Sequence, residues 1–470
     1  MKYFRAWRSI TLFFIGVGWL LTLGLSAQSN RTRPPAGHLI VKCRLLIDPG
    51  PDRVISDAFI EIVNGRILRV GPVSEMPESR NAKILDFGDK TIIPGLIDTH
   101  FHLFGNIVRS NDTFTGLLIK LPLACGVTTV RAPGSFNPGG DFALRDKINA
   151  GIFDGPRIYL SGAILNMEPS RLRYMNLVRT DEEVRLLIDH WAERGATSIK
   201  LYESFQGDLL KTAIDHAHLH GLRALAHLGA TSFEDAIRAG IDEVFHGALA
   251  FKDILPKDLR EDQSKEYVQA FANMDLEGPE AERLLKLAAD LRVVITPTVA
   301  MSDKMDFQGE FLLSQKPYYT AAAWETAIKR EANRIAPGEG RASAGDKLTE
   351  TFLHFLKKAY EAGCILTTGT DKTSMVPLPG FSLWHEMMAF ARAGLPAKAI
   401  LKAATFNGAY ALAVDNILGS LEPGKFADFV VLDKNPMEDI KNIKTVFRVI
   451  KGGIVYEPEP LLKRLIGIIE

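Results

Sequence analysis

The chain has 470 residues, with 56 basic and 56 acidic side chains and so no formal net charge. It is 46% hydrophobic and 24% charged, a globular balance that excludes a disordered or fibrous protein; the missing basic excess argues against a nucleic-acid partner. Three widely spaced cysteines (Cys43, Cys125, Cys364) exclude a disulfide framework and a Cys-rich zinc knuckle.

Lys2, Arg5 and Arg8 precede an apolar run from Ile10 to Leu25, and small Ser26-Ala27 and polar Gln28-Ser29-Asn30 follow. This order predicts a secretory leader over residues 1–27, cleaved after Ala27. The run is shorter than the roughly 20 residues that span a bilayer. The expectation is an exported protein, periplasmic or secreted, with no stable membrane association once the leader is removed. Without the three leader bases the mature chain is slightly acidic.

Residues 28–92 read as short strands and turns. His38–Lys42 and Ala58–Val63 are strand-like, and Asn64-Gly65 is a hairpin dipeptide leading into Arg66–Val70. Residues 416–470 have the same texture, with a turn at Gly419–Lys425 and strands at Ala427–Asp433 and Val446–Ile450. Two β pieces at opposite ends of a chain can build one small β-sandwich, because termini often lie close together.

Between them, in 93–415, apolar runs ending in polar residues alternate with helical stretches. In order the runs are Ile92–His100, Val127–Arg131, Arg157–Ser161, Ser198–Tyr202, Arg223–His227, Glu243–His246, Val293–Thr298 and Ile365–Thr370. Helices are expected at Glu182–Glu193 after a Thr180-Asp181 cap, at Leu209–His220 up to Gly221, and at Ser232–Ala239 up to Gly240. The fold class is α/β, and eight such units are the number that closes a (β/α)8 TIM barrel. Lys252–Gly278 and Ser302–Lys347 break the rhythm after strand ends and are expected to cover the C-terminal mouth.

The chemistry-bearing residues sit at the strand ends. His100 and His102 are two apart on a strand and so face one way, as do Lys200 and Tyr202. His227 closes the fifth run, His246 the sixth, and Asp371 follows the eighth. One His closing a strand is usually a satisfied polar group, and one Asp after a strand is usually a helix cap. Four imidazoles, a carboxylate and a lysine on one rim are a different matter. They form a donor set for Zn, Mn, Fe or Co.

Other motifs fail. Gly419-x4-Gly424-Lys425 has Phe426 where a phosphate loop needs Ser or Thr, and His385-Glu386 lacks the second His of a zinc-protease helix. His216, His218 and His220 share one helix; positions two apart do not face each other, and the three read as surface residues.

The order resembles the amidohydrolase superfamily over nearly the whole mature chain. Ile93-Pro-Gly-Leu-Ile-Asp-Thr-His-Phe-His102 is similar to its first-strand motif and Cys125-Gly-Val-Thr-Thr-Val-Arg131 to its second-strand segment. The run Gly419–Asp433 is similar to the return into its small β domain. Ser198-Ile-Lys-Leu-Tyr202 resembles the fourth strand of the binuclear branch related to prolidases and imidazolonepropionases. That resemblance implies two divalent ions, zinc foremost, with Mn, Co or Fe as alternatives. His100, His102 and Asp371 would hold one and His227 and His246 the other, with Lys200 carboxylated by CO2 to bridge them. It implies hydrolysis of a carbon–nitrogen bond (an amide, an Xaa-Pro dipeptide or an N-acyl amino acid) by a hydroxide shared between the ions. Asp371 would move the proton. Tyr202, facing the same pocket, is expected either to contact the substrate carbonyl or carboxylate or to pack the barrel mouth. The alternative within the superfamily is a cyclic amidase, lactonase or deaminase using one ion. The partner is then a small molecule, and a homo-oligomer stays open. Two departures flank the pocket. Ala132-Pro133 replaces an acidic residue after Arg131, and Ile164–Pro169 replaces a Gly-Gly-His element. Arg171 and Arg173, close by, read as surface arginines that could also take a substrate carboxylate.

Overall fold

The computed structural model describes residues 37–78, 81–103, 112–168, 170, 175–259, 265–301, 309–335, 342–372 and 375–469. The expected leader, Arg171 and Arg173 lie outside them, as do parts of both expected covering segments.

The N-terminal strands are β1 (Leu39–Asp48), β2 (Arg53–Val63), β3 (Arg66–Pro72), β4 (Lys83–Asp86) and β5 (Thr91–Pro94). Asn64 and Gly65 join β2 to β3 with φ of 52° and 77°, the left-handed pair a two-residue hairpin turn requires. The central strands are β6 (Leu96–Asp98), β7 (Val127–Ala132), β8 (Arg157–Leu160), β9 (Ile164–Asn166), β10 (Asn176–Leu177), β11 (Ser198–Leu201), β12 (Arg223–Ala226), β13 (Glu243–Phe245), β14 (Val294–Thr296) and β15 (Ile365–Leu366). The chain then forms β16 (Phe429–Leu432), β17 (Val446–Lys451) and β18 (Ile454–Tyr456).

Both chain ends hydrogen-bond as one continuous eight-stranded sheet, in the order β18-β17-β16-β5-β1-β2-β3 with β4 beside β1. Val41, Ile60, Ile62, Ile92, Phe429 and Val431 share its core, so neither end could bury its apolar face alone. The strand β5 still belongs to this sheet, and the chain changes sheets at Gly95. A Cβ there would stand 2.1 Å from the Thr128 hydroxyl, which only glycine avoids.

The central strands pair in parallel as two arcs, β6-β7-β8 and β10-β9-β11-β12-β13-β14-β15. Backbone bonds link the arcs at both junctions: Thr197 N to Leu160 O (2.8 Å) and Ser135 N to Gly162 O (2.8 Å) at one, Thr99 N to Thr368 O (3.0 Å) at the other. Helices intervene, among them α1 (Asp112–Leu118), α2 (Pro138–Asn149), α3 (Asp181–Glu193), α4 (Gly207–Leu219), α5 (Phe233–Ala239), α6 (Pro279–Asp290), α7 (Ala342–Glu361) and α8 (Phe381–Arg392). The Thr180 side chain caps α3 by accepting from Glu183 N; Ser232 caps α5 likewise, and Gly240 ends that helix at φ 98°.

A polar network is buried among the strands. Arg131 on β7 and Glu243 on β13, each 1% exposed, form an ion pair. Arg131 also donates from Nε to Thr99 O (2.9 Å) and from Nη1 to Ala411 O (3.2 Å). Thr296 donates to Glu243 Oε1 (2.5 Å) and lies 2.6 Å from the Thr367 hydroxyl. This cross-linked layer ties β6, β7, β13, β14 and β15 directly beneath the strand ends.

Candidate metal centre

His100 and His102 directly follow β6, where the backbone is held from three sides. Asp98 Oδ1 accepts from His100 N (3.1 Å), Phe101 N donates to Arg131 O (2.8 Å), and Asp371 N donates to His100 O (2.7 Å). Asp98 is buried and also accepts from Thr370 N (3.1 Å) and Thr370 Oγ1 (2.8 Å). Burial pushes its carboxyl up to about 7, against the pull of those bonds. His246, Thr298 and Asp371 all take left-handed backbone, at φ 64°, 51° and 44°. For β-branched Thr298 that conformation is costly, and such strain clusters at functional sites.

Four of the expected residues meet directly. His100 Nε2 and His102 Nε2 lie 3.1 and 2.7 Å from Asp371 Oδ1, and His246 Nδ1 lies 3.5 Å from Oδ2. His227 joins through its ring, 4.3 Å from that of His246 and 4.6 Å from that of Tyr202. Lys200 rises from β11 and is 2% exposed. Its Nζ has no hydrogen-bond partner among the described residues and stands 3.6 Å from the centre of the Phe245 ring. Every expected site residue therefore lies in one neighbourhood, although Lys200 makes no bond to the others.

The electrostatics suit a cation. Burial pushes His100 and His227 down to about 3, and His246 well below its ordinary value, so all three are neutral donors near pH 7. Burial also pushes Asp371 upward, but the charge and hydrogen bond of His100, with the bond from His102, outweigh it and hold the carboxyl well below its usual range. Lys200 falls to about 7, again through burial. An unsolvated ammonium without a partner is an unfavourable group to enclose, and a form of Lys200 carrying negative charge would match the surroundings better.

Several neighbours escape sequence reasoning. The Thr298 hydroxyl lies 2.9 Å from His246 Nδ1. Phe136 stacks on His102 with ring centres 5.5 Å apart. The half-exposed carboxylate of Glu203 stands 3.6 Å from His227 Nε2, and the Lys252 charge also acts on His227. The spacing of Asp98 from His100 repeats that of His100 from His102, a signal that could have marked it. Ile164–Asn166, the first half of the Ile164–Pro169 departure, is the buried strand β9, paired with β11 beside Lys200. His385 is buried on α8, its ring facing Phe311.

Set beside known proteins, the chain matches the profile of the amidohydrolase family over residues 91–455. It belongs to that family, hydrolases that act on carbon–nitrogen bonds and generally depend on metal ions. Imidazolonepropionase of Geobacillus kaustophilus is 23% identical over 417 residues, spanning 86% of this chain and 90% of the relative. Ochratoxinase of Aspergillus niger is 24% identical over 479 residues, 89% and 86% of the two chains. Among solved structures, a Xaa-Pro dipeptidase with methionine in its active site superposes with a TM-score of 0.66 at 23% identity, covering 90% of this chain and all of the other. The neighbours imply a TIM barrel plus a small domain, and the strands described here are of the α/β class.

Proposed function

We propose that the two parallel arcs form one closed (β/α)8 barrel over 93–415 and that its mouth is a binuclear metal site cleaving an amide bond. The donor chemistry supports this. His100, His102 and Asp371 would hold one divalent ion, and His227 and His246 the other, zinc being the first candidate. Thr298 accepting the Nδ1 proton of His246 would leave Nε2 free for an ion. The observation that carries the reading is Lys200, a buried amine without a partner beside a depressed carboxylate and three neutral imidazoles. With a pKa of about 7 it is partly neutral at physiological pH. The neutral amine adds to CO2, forming an N–C bond and releasing one proton, and the resulting carbamate would bridge the two ions.

When bound, the ions would polarise the scissile carbonyl and ease the ionisation of a water. Asp371, held ionised by its neighbouring imidazoles, would take a proton from the attacking water and pass it to the departing nitrogen. Tyr202, packed on His227, contacts the substrate carbonyl or carboxylate. The half-exposed carboxylate of Glu203, 3.6 Å from His227 Nε2, would meet the ammonium of a substrate with a free amino end. The preferred substrate is therefore a free dipeptide, with the Xaa-Pro type first because a solved neighbour is a Xaa-Pro dipeptidase. N-acyl amino acids follow. We also propose that residues 1–27 direct export and are removed, which N-terminal sequencing of the protein recovered outside the cytoplasm tests.

The deciding experiment is a dipeptide and N-acyl amino acid library assayed with Zn, Mn and Co, together with metal counting and mass analysis of the Lys200 peptide. Two ions per chain, a carbamate mass on Lys200 and loss of turnover in folded His227→Asn support the reading. One ion per chain and an unmodified Lys200 would instead favour a cyclic amidase, lactonase or deaminase.

A further inference from the structure

Among the described residues, a second group of metal-ligand type lies outside the barrel mouth, on the outer surface between α3 and α4. His216 and His220 are four residues apart at the C-terminal end of α4 and so share a face of the helix. Asp189 reaches toward them from α3. His216 Nε2 is 2.7 Å and His220 Nε2 is 2.6 Å from the same oxygen, Asp189 Oδ1. The two rings stand 5.1 Å apart at 76°. Three ligating atoms from two helices thus converge on one point, all within 4.8 Å of one another.

A neighbouring pair shows what an ordinary surface ion pair looks like here. His218, on another face of α4, bonds Asp242 Oδ2 at 2.8 Å, and Arg223 neutralises the other oxygen at 2.7 Å. Asp189 is different: no lysine or arginine pairs with it among the described residues, and two imidazoles share it. His216 is 13% exposed at the side chain, His220 35% and Asp189 41%, so the point of convergence is walled on the His216 side and open to water on the other.

We propose that Asp189, His216 and His220 form a second metal site, distinct from the barrel mouth, for a divalent ion of borderline softness such as Zn, Ni or Cu. Two imidazole nitrogens and one carboxylate oxygen suit those ions, whereas Mg and Ca require oxygen shells. The ion takes the place of the two Nε2 protons now directed at Asp189 Oδ1, and water completes its coordination. Two adjustments are required. Both Nε2 atoms must draw back from Asp189 Oδ1, because ligands about 2.0–2.1 Å from one tetrahedral ion lie roughly 3.4 Å apart. Arg185 Nη1 lies 3.3 Å from His216 Nδ1, which must carry the ring proton once Nε2 binds the ion. Arg185 is exposed and can turn away. The site would cross-link α3 and α4, the two helices that flank β11 and its Lys200. It does not depend on the proposed function of the barrel mouth.

The test compares zinc retained after equilibrium dialysis by the full chain and by His220→Ala and Asp189→Asn, each assayed also for hydrolysis and thermal unfolding. The expected result is one zinc equivalent fewer in both variants, unchanged basal turnover, and a zinc-dependent rise in unfolding temperature seen only in the unaltered chain. Adding His100→Asn and His102→Asn to all three proteins weakens the barrel-mouth contribution, and the one-ion difference should persist. Equal zinc counts in the full chain and both variants would overturn the proposal and leave Asp189 a hydrogen-bonded strut between helices.

Discussion

Replacing Arg131 with methionine tests the buried polar layer beneath the strand ends. Arg131 and Glu243 are each 1% exposed, so the change strands a carboxylate whose remaining bond is to Thr296. Breaking a buried pair from one side costs about 3–5 kcal/mol. The carbonyls of Thr99 and Ala411 each lose an Arg131 donor, adding about 1 kcal/mol apiece. The expected loss is about 5–7 kcal/mol, a large share of the ~5–15 kcal/mol that holds a folded domain together. Urea unfolding of metal-loaded protein near neutral pH reads it directly, or the unfolding half-life does where refolding fails. Arg131→Met with Glu243→Leu removes both charges and should recover most of the loss. A single variant within about 1 kcal/mol of the original chain, or a double variant no better than the single one, would refute the reasoning.

Metal-free protein should lose stability as pH falls from 6.5, the ordinary histidine value, toward 3, because His100 and His227 stay neutral when folded while the unfolded chain takes up protons. Lys200 acts at the other end: neutral when folded above about 7 and charged when unfolded up to 10.5, it should make stability rise with pH across that window, and Lys200→Met should abolish the slope in pH-dependent denaturation. Lys200→Ala should lose the second ion and turnover, and acetate or propionate filling the vacated space should restore part of both; metal analysis with and without the acid decides. Thr298→Val leaves His246 Nδ1 without its 2.9 Å partner and should weaken metal retention about 10- to 100-fold, measured by competition with a chelator. Glu203→Gln should slow turnover of free dipeptides more than that of N-acyl amino acids, which carry no ammonium to meet it; an equal loss on both would remove Glu203 from substrate recognition.

The eight apolar runs, the hairpin at Asn64-Gly65 and the caps at Thr180, Ser232 and Gly240 are legible in the sequence because each is set by local periodicity or local backbone preference. The convergence of His100, His102, His246 and Asp371 is legible for a related reason: a ligand that ends a parallel strand can face only one rim. What escapes is long-range or locally ambiguous. Arg131 and Glu243 are ordinary charges until the strands bring them together. Thr298 looks like a strand-end threonine until its φ of 51° aims it at His246. Strand β9 is too short to show a period. His216 and His220 escape because attention to the two-residue spacing on that helix hides the four-residue one. The sheet change at Gly95 is hidden too, since Ile92–His100 reads as one uninterrupted run.

The position of β5 has a consequence for synthesis. It lies between β1, near the start of the chain, and β16, which begins only at Phe429. Its edge toward β16 therefore stays bare until almost the whole polypeptide has left the ribosome. Through Gly95, β5 runs straight into β6, the strand that His100 and His102 follow, so the same late sheet edge adjoins the metal centre. The sheet can therefore be completed only after Phe429–Leu432 has been made.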